Sequence, residues 1–197
     1  LDFGASGLTM LEDLPHVGSI IAGDDEERVI RLLRTLRELI DDRAREFAKH
    51  RAGSVAEYRE LTGKSDTPRV LLLVDGMAAF REAYDYSNLS KWFTTFVQIA
   101  TDGRQVGVHV IVTGDRPNAI PTSLGSSIQR RLIHRMASGD DYSAFGEPKD
   151  VLDGTSPPGR SILDGHEVQI AVHGGDSNVA IQSREVAKLA QAMRRAG

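Results

Sequence analysis

The chain has 197 residues, 40% of them hydrophobic and 26% charged, and contains no cysteine. That length suits one domain with a substantial apolar core, while the missing thiols exclude disulfides and thiolate metal centres and fit a reducing compartment. A net charge of −4 excludes wholesale neutralisation of nucleic-acid phosphates and leaves room only for local DNA contact.

No apolar stretch approaches the length of a membrane span, and Leu1-Asp2-Phe3-Gly4 lacks the basic and apolar regions of a secretory leader. The chain opens without Met and inside a strand-like pattern, so a piece of a longer protein is expected. Leu1–Phe3 reads as a short strand, followed by the Gly-rich turn Gly4-Ala5-Ser6-Gly7 and a short helix over Leu8–Leu14. Val17–Ala22 reads as a second strand.

Asp24-Asp25-Glu26-Glu27 is a helix start, with Asp24 as N-cap and acids at the positive end of the dipole. Val29, Leu32, Leu33, Leu36, Leu39, Ile40 and Phe47 recur at helical spacing, so one amphipathic helix runs to about His50, its Arg/Glu face in solvent. A shorter helix is expected over Ser54–Leu61. Val70–Val74 is too short and too uniformly apolar for an amphipathic helix and reads as a strand buried on both faces, as in parallel sheets. Ser87–Gly103 carries the stripe Leu89, Trp92, Phe93, Phe96, Val97, Ile99, the pattern of a core-facing helix. Gly107–Thr113 is a second buried strand, and Arg131–Ala137 a shorter third. Pro157-Pro158-Gly159 is a turn; Arg160–Leu163 and Glu167–Val172 flank Asp164-Gly165, a two-residue hairpin signal. Ser183–Arg195 closes the chain as a helix with Ser183 as candidate N-cap. Strands alternating with helices imply a parallel sheet with crossover connections.

The first chemical signal is Asp75. It ends a buried strand and so stands at the carboxyl edge of the sheet, where open α/β sheets hold ligands; Asp75-Gly76 is equally a common turn pair. A right-handed crossover through Ser87–Gly103 would set the second strand beside the first and bring Thr113 to the same edge. There it could meet a phosphate or a positioned water, or simply end a strand. A phosphate cradle of the form GxxxxGKS/T is absent: Gly63-Lys64-Ser65 has only its tail, since Tyr58 occupies the position of the required first glycine. Histidines and acids show no metal-ligating spacing; His109 reads as a core histidine and His16 as structural. Arg130 and Arg131 could serve a neighbour's triphosphate or lie solvated, and Arg160 is either a hairpin charge or a pore-facing contact.

Together these pieces resemble the FtsK/SpoIIIE superfamily of ring motors, and within it the ATPase domains of EccC from type VII (ESX) secretion. The resemblance is carried by Leu1-Asp2-Phe3-Gly4 with Leu14-Pro15-His16-Val17-Gly18, by Asp25-Glu26-Glu27-Arg28 with Arg31-Leu32-Leu33, by Val70–Gly76, by Gly107–Thr113 with Arg116-Pro117, and by Pro157-Pro158-Gly159-Arg160. It implies a RecA-like three-layer α/β/α sandwich with a mostly parallel sheet and a C-terminal hairpin, residues 1–197 forming one domain without its first strand and Walker A loop. A sheet lacking that strand is expected to expose apolar edges. By the resemblance, ATP and Mg²⁺ are the cofactors, Asp75 holds Mg²⁺ through water, Gly76, Thr113 and Arg116 flank the nucleotide, and Thr113, Arg130 and Arg131 join Asp75 as catalytic candidates. Gly76 stands where active motors carry a glutamate, and Asp115 replaces the family's Gln, which implies a degenerate or weakly hydrolysing site. The implied partners are sister ATPase domains, ring neighbours in a hexamer and WXG-type effectors, at the cytoplasmic side of the cell membrane. The alternatives are a non-catalytic effector-peptide module on the same fold and an FtsK-like DNA translocase.

Overall fold

The computed structural model describes residues 1–196 of the 197, and the chain divides into two compact units.

The first unit comprises residues 1–5, 21–114 and 120–128. Helix α1 (Glu26–His50) starts one residue later than the sequence implies: Asp25, not Asp24, is the N-cap, its carboxylate accepting from the Arg28 N–H at 3.2 Å. Glu26 and Glu27 follow in the first turn, and Lys49 and His50 complement the negative end of the dipole in the last. Val29, Leu33, Leu36, Ile40 and Phe47 form its buried stripe. Helix α2 (Val55–Thr62) is capped by Ser54, whose hydroxyl accepts from Glu57 N–H. Strand β1 (Val70–Val74) leads through Asp75-Gly76 into α3 (Met77–Tyr84), a helix that the sequence reading leaves out; Met77, Phe80 and Tyr84 bury one side of it. Helix α4 (Ser90–Asp102) and strand β2 (Val108–Val112) follow as expected, and then a single turn, α5 (Thr122–Gly125).

β1 and β2 pair in parallel with Val70 opposite Val108 and Val74 opposite Val112. Asp2 bridges both Ala22 and Asp75 in parallel, so Leu1–Phe3 lies between Ala22 and β1. Of the expected Val17–Ala22 strand only Ala22 pairs. Leu72, Val74 and Val108 face a core shared with α1, α3 and α4. Alternation then turns Leu71 and Ile111 to the opposite face, where they are 62% and 51% exposed. Arg43 reaches from α1 to the chain just before each strand, donating to Pro68 O at 2.8 Å and Val106 O at 2.9 Å.

The second unit holds residues 6–20, 115–119 and those from 129 onward. The helix expected over Leu8–Leu14 is a 3-10 helix, Gly7–Leu11. Strand β3 (Leu132–His134) precedes a one-turn helix, α6 (Gly139–Ser143), and pairs antiparallel with β4 (Arg160–Leu163). β4 in turn forms the expected hairpin with β5 (His166–Gln169) through Asp164-Gly165, whose φ values of 53° and 75° are those of a type I′ turn. Helix α7 (Val179–Ala196) starts before Ser183; Asn178 caps it by accepting from Ala180 and Ile181 N–H. Ile133, Tyr142, Leu152 and Ile162 make a small core.

Candidate functional site

The register of β1 and β2 places the next residues of each, Asp75 and Thr113, level with one another. The ladder continues past the strands: Thr113 N–H donates to Val74 O at 3.0 Å, and Met77 N–H to Thr113 O at 2.9 Å. Two level side chains on adjacent parallel strands point to the same face, and here they touch. Thr113 Oγ1 donates to Asp75 Oδ1 at 2.6 Å and accepts from Gly76 N–H at 3.0 Å. The hydroxyl proton therefore has a fixed direction, toward the carboxylate. Asp75 is anchored through its own backbone as well, its N–H donating to Leu1 O and its carbonyl accepting from Phe3 N–H, both at 2.9 Å.

Gly76 is in the left-handed region, φ 80° and ψ 55°, where the chain swings from β1 into α3. A Cβ there would stand 2.8 Å from Phe3 C and 2.9 Å from Phe3 O. Both the dihedral angle and the close backbone exclude a larger residue. Gly4 is constrained by a side chain instead, since a Cβ on it would overlap Asp75 Oδ2.

A half-buried carboxylate with one oxygen accepting a hydroxyl hydrogen bond suits a hydrated Mg²⁺, which keeps several waters and takes few protein ligands. These residues fit the metal side of a magnesium–nucleotide pair. The phosphate side is a different matter, as Lys64 is engaged with Tyr58 Oη at 3.0 Å and lies 3.9 Å from Glu46. It serves as a local tether on α2 and α1.

The structure thus brings Asp75, Gly76 and Thr113 together within the first unit. Arg116, Arg130 and Arg131 belong to the second unit and are exposed; Arg116 lies 3.9 Å from Asp115. Arg160 is a hairpin charge, paired with Glu167 and donating to Gln169 Oε1. His109 is half-buried in β2, and His16 is exposed. The sequence reading assigned no site role to Asp2 or Gly4. Both touch the Asp75 turn, and the signal that could have found them is the Asp-Phe-Gly spacing at a strand end.

Comparison with known proteins places this geometry in context. Residues 1–154 match the profile of the FtsK/SpoIIIE family. The ESX secretion system protein YukB of Bacillus subtilis is 26% identical over 171 residues, 86% of this chain and 11% of that protein. EccCb1 of the ESX-1 secretion system of Mycolicibacterium smegmatis is 27% identical over 204 residues, 96% of this chain and 33% of its own length. The chain therefore spans a third or less of these relatives. Among solved structures, the cytoplasmic domain of the Thermomonospora curvata type VII secretion ATPase EccC superposes with a TM-score of 0.81 at 26% identity, covering 98% of this chain and 23% of that one. ATPases 2 and 3 of the same protein, solved in complex with a signal sequence peptide, give 0.81 at 24% identity over 98% and 35%. The matching profile, extending over both the Asp75 strand and the Thr113 strand, shows that this chain belongs to the FtsK/SpoIIIE family.

Proposed function

We propose that this chain is a nucleotide-binding ATPase domain of a type VII secretion motor, with a site that holds ATP and Mg²⁺ more readily than it hydrolyses ATP. The observation carrying this reading is the Thr113–Asp75 hydrogen bond at the ends of adjacent parallel strands in a chain of this family. Asp75 holds the metal's waters, and the metal, when bound, supplies positive charge against the phosphate oxygens. Thr113 keeps the Asp75 carboxylate oriented and stands where a terminal phosphate is sensed; Gly76 adjoins the nucleotide. Arg130 and Arg131 are candidates to reach a neighbouring subunit's nucleotide in a hexameric ring. Another segment of the parent protein supplies the phosphate cradle, and the exposed Leu71 and Ile111 on the open face of β1 and β2 support a further element packing there. Weak hydrolysis follows from Gly76, which offers no carboxylate to polarise water. No helix among the described residues is long and apolar enough to cross a membrane. On this reading the domain works at the cytoplasmic side of the cell membrane as part of an anchored parent.

Calorimetry on the parent protein tests the proposal. The expected result is nanomolar-to-micromolar ATP binding, roughly −8 to −12 kcal/mol, that needs Mg²⁺ and is lost on Asp75→Ala, with slow turnover throughout. Saturable heat that is indifferent to both Mg²⁺ and Asp75 would overturn it, and vigorous turnover would overturn the weak-hydrolysis half.

A second reading is an effector-peptide module. It is favoured by an apolar cleft of about 250 Å³ in the second unit, lined by Met10, Pro158, Ile170, Val172 and Val179 with Gln182, and by the peptide bound to the related EccC ATPases 2 and 3. Heat on titrating the C-terminal peptide of a WXG-type partner, abolished by Val179→Asp, is the expected outcome. An FtsK-like DNA translocase ranks last, and DNA binding undetectable at low salt would eliminate it.

A further inference from the structure

The turn Asp2-Phe3-Gly4 does more than add a strand to the sheet. Asp2 is 8% exposed, and its Oδ1 accepts from Gly4 N–H at 3.2 Å, which bends the backbone over the end of β1. Phe3 N–H donates to Asp75 O, pinning the turn to the residue it covers. The Gly4 backbone then lies so close to Asp75 Oδ2 that a methyl group at position 4 would occupy the carboxylate's place. Thr113 Oγ1 engages the other oxygen, Oδ1, at 2.6 Å. One oxygen of the carboxylate is thus held by a hydroxyl, and the other occupies space that a residue without a side chain at position 4 leaves free. The same turn covers Gly76, with Gly4 N 3.0 Å from where a Cβ would stand.

We propose that Asp2 and Gly4 are positioning residues for Asp75: Asp2 folds the turn, and Gly4 lets its backbone fix the direction in which the Asp75 carboxylate meets magnesium. The proposal rests on the nucleotide reading above and adds residues that no motif assigned. Asp2 holds Gly4 N–H through an acceptor oxygen. An asparagine keeps that oxygen and an alanine does not. That distinction separates positioning from direct metal ligation.

The test uses the full parent protein and reads the magnesium dependence of ATP binding, alongside binding in EDTA and the melting temperature. Asp75→Ala sets the scale. Gly4→Ala and Asp2→Ala are expected to raise the magnesium concentration needed for half-maximal binding by about tenfold, equivalent to about 1.4 kcal/mol, with binding in EDTA unchanged. Asp2→Asn is expected to stay within about twofold of the parent, because its amide oxygen still holds the turn. If Asp2→Asn fails as badly as Asp2→Ala, the carboxylate charge is what matters and the positioning role is overturned. If Gly4→Ala and Asp2→Ala melt as the parent does and bind with unchanged magnesium dependence while Asp75→Ala loses it, the proposal falls and the nucleotide reading survives. Should ATP binding prove indifferent to magnesium in the parent and in Asp75→Ala alike, both fall together. Where a variant melts early, solution NMR of the Thr113 hydroxyl and the Asp75 carboxyl carbon in the surviving variant reads the same question. Resonances unmoved by loss of the turn would also overturn it.

Discussion

The two units of this chain are stabilised by different physics. The first buries large side chains from three helices and a parallel strand pair: Phe80, Phe96, Leu33, Ile40 and Ile99 are all below 2% exposed. Phe80 sits at the centre of an aromatic cluster, its ring 5.0 Å from Phe96 and 5.1 Å from both Phe3 and Tyr84. The second has a small core of four buried side chains, of which only Tyr142 is below 2% exposed, and relies on polar closure. Tyr142 Oη accepts from Met136 N–H at 2.8 Å, the buried Ser161 hydroxyl meets His134 Nδ1 at 2.7 Å, and Ser138 and Asp141 form a capping box on α6. Arg194 ties α7 to Asp13 by donating to its carbonyl. The lesson is that the Asp75 site stands on the unit with the larger apolar core, while turns and hydrogen bonds shape the other.

Substitutions can break or sharpen that contrast. The largest effect is expected from Phe96→Ala, which removes a fully buried ring from the aromatic cluster; a loss of about 3–5 kcal/mol should show as a lowered urea midpoint. Gly76→Ala comes next, combining a left-handed φ with a methyl group against the Phe3 carbonyl; a cost of about 1–3 kcal/mol is expected in the same assay. In the second unit Tyr142→Phe leaves Met136 N–H without its partner. It should cost about 1–3 kcal/mol, read as faster amide exchange confined to β3, α6 and β4. Uniform acceleration across α1 and α4 would refute the separation of the units. Ser138→Ala removes the capping box and should cost about 1 kcal/mol, seen as fraying of α6 alone.

The smallest effect at neutral pH is expected at Tyr84. Burial, reinforced by Glu26 and Asp25, pushes its phenol up to about 12 from an ordinary 10.0. Below pH 10 the folded and unfolded states both keep the proton, so this stabilisation is fully present. As pH rises from 10 to about 12 the unfolded chain releases it first, and stability falls. Tyr84→Phe should flatten that alkaline limb of the stability–pH curve, and an unchanged limb would remove Tyr84 from the account.

Much of the first unit was legible in the residues. Helix α1 announced itself through its apolar spacing and acidic start, α4 through its aromatic stripe, and β1 and β2 through short β-branched and aliphatic runs, broken in β2 by His109. The Asp164-Gly165 hairpin was equally plain. What was not legible had a common cause. α3 lies in a stretch whose apolar residues, Met77, Phe80 and Tyr84, are too few to make a periodic signal, and it forms because a core awaits them. Val17–Ala22 has the composition of a strand, yet pairing needs a partner edge and only Ala22 finds one. Ser183 looked like a cap, but Asn178 lies where α7 begins.

Within the site, residue order alone marked Asp75 and Thr113, because a buried strand must end somewhere and its last polar residue then stands at the sheet edge. Local pattern thus determined the long helices, the hairpin, the parallel pair and the two residues at its rim. Only the tertiary structure decided that Thr113 donates to Asp75, that Asp2 and Gly4 close over it, and that Gly76 has room for no side chain. Those facts depend on contacts between residues up to 73 apart in sequence, Asp2 with Asp75 among them. Periodicity reports which way a side chain faces and carries no information about what comes to meet it.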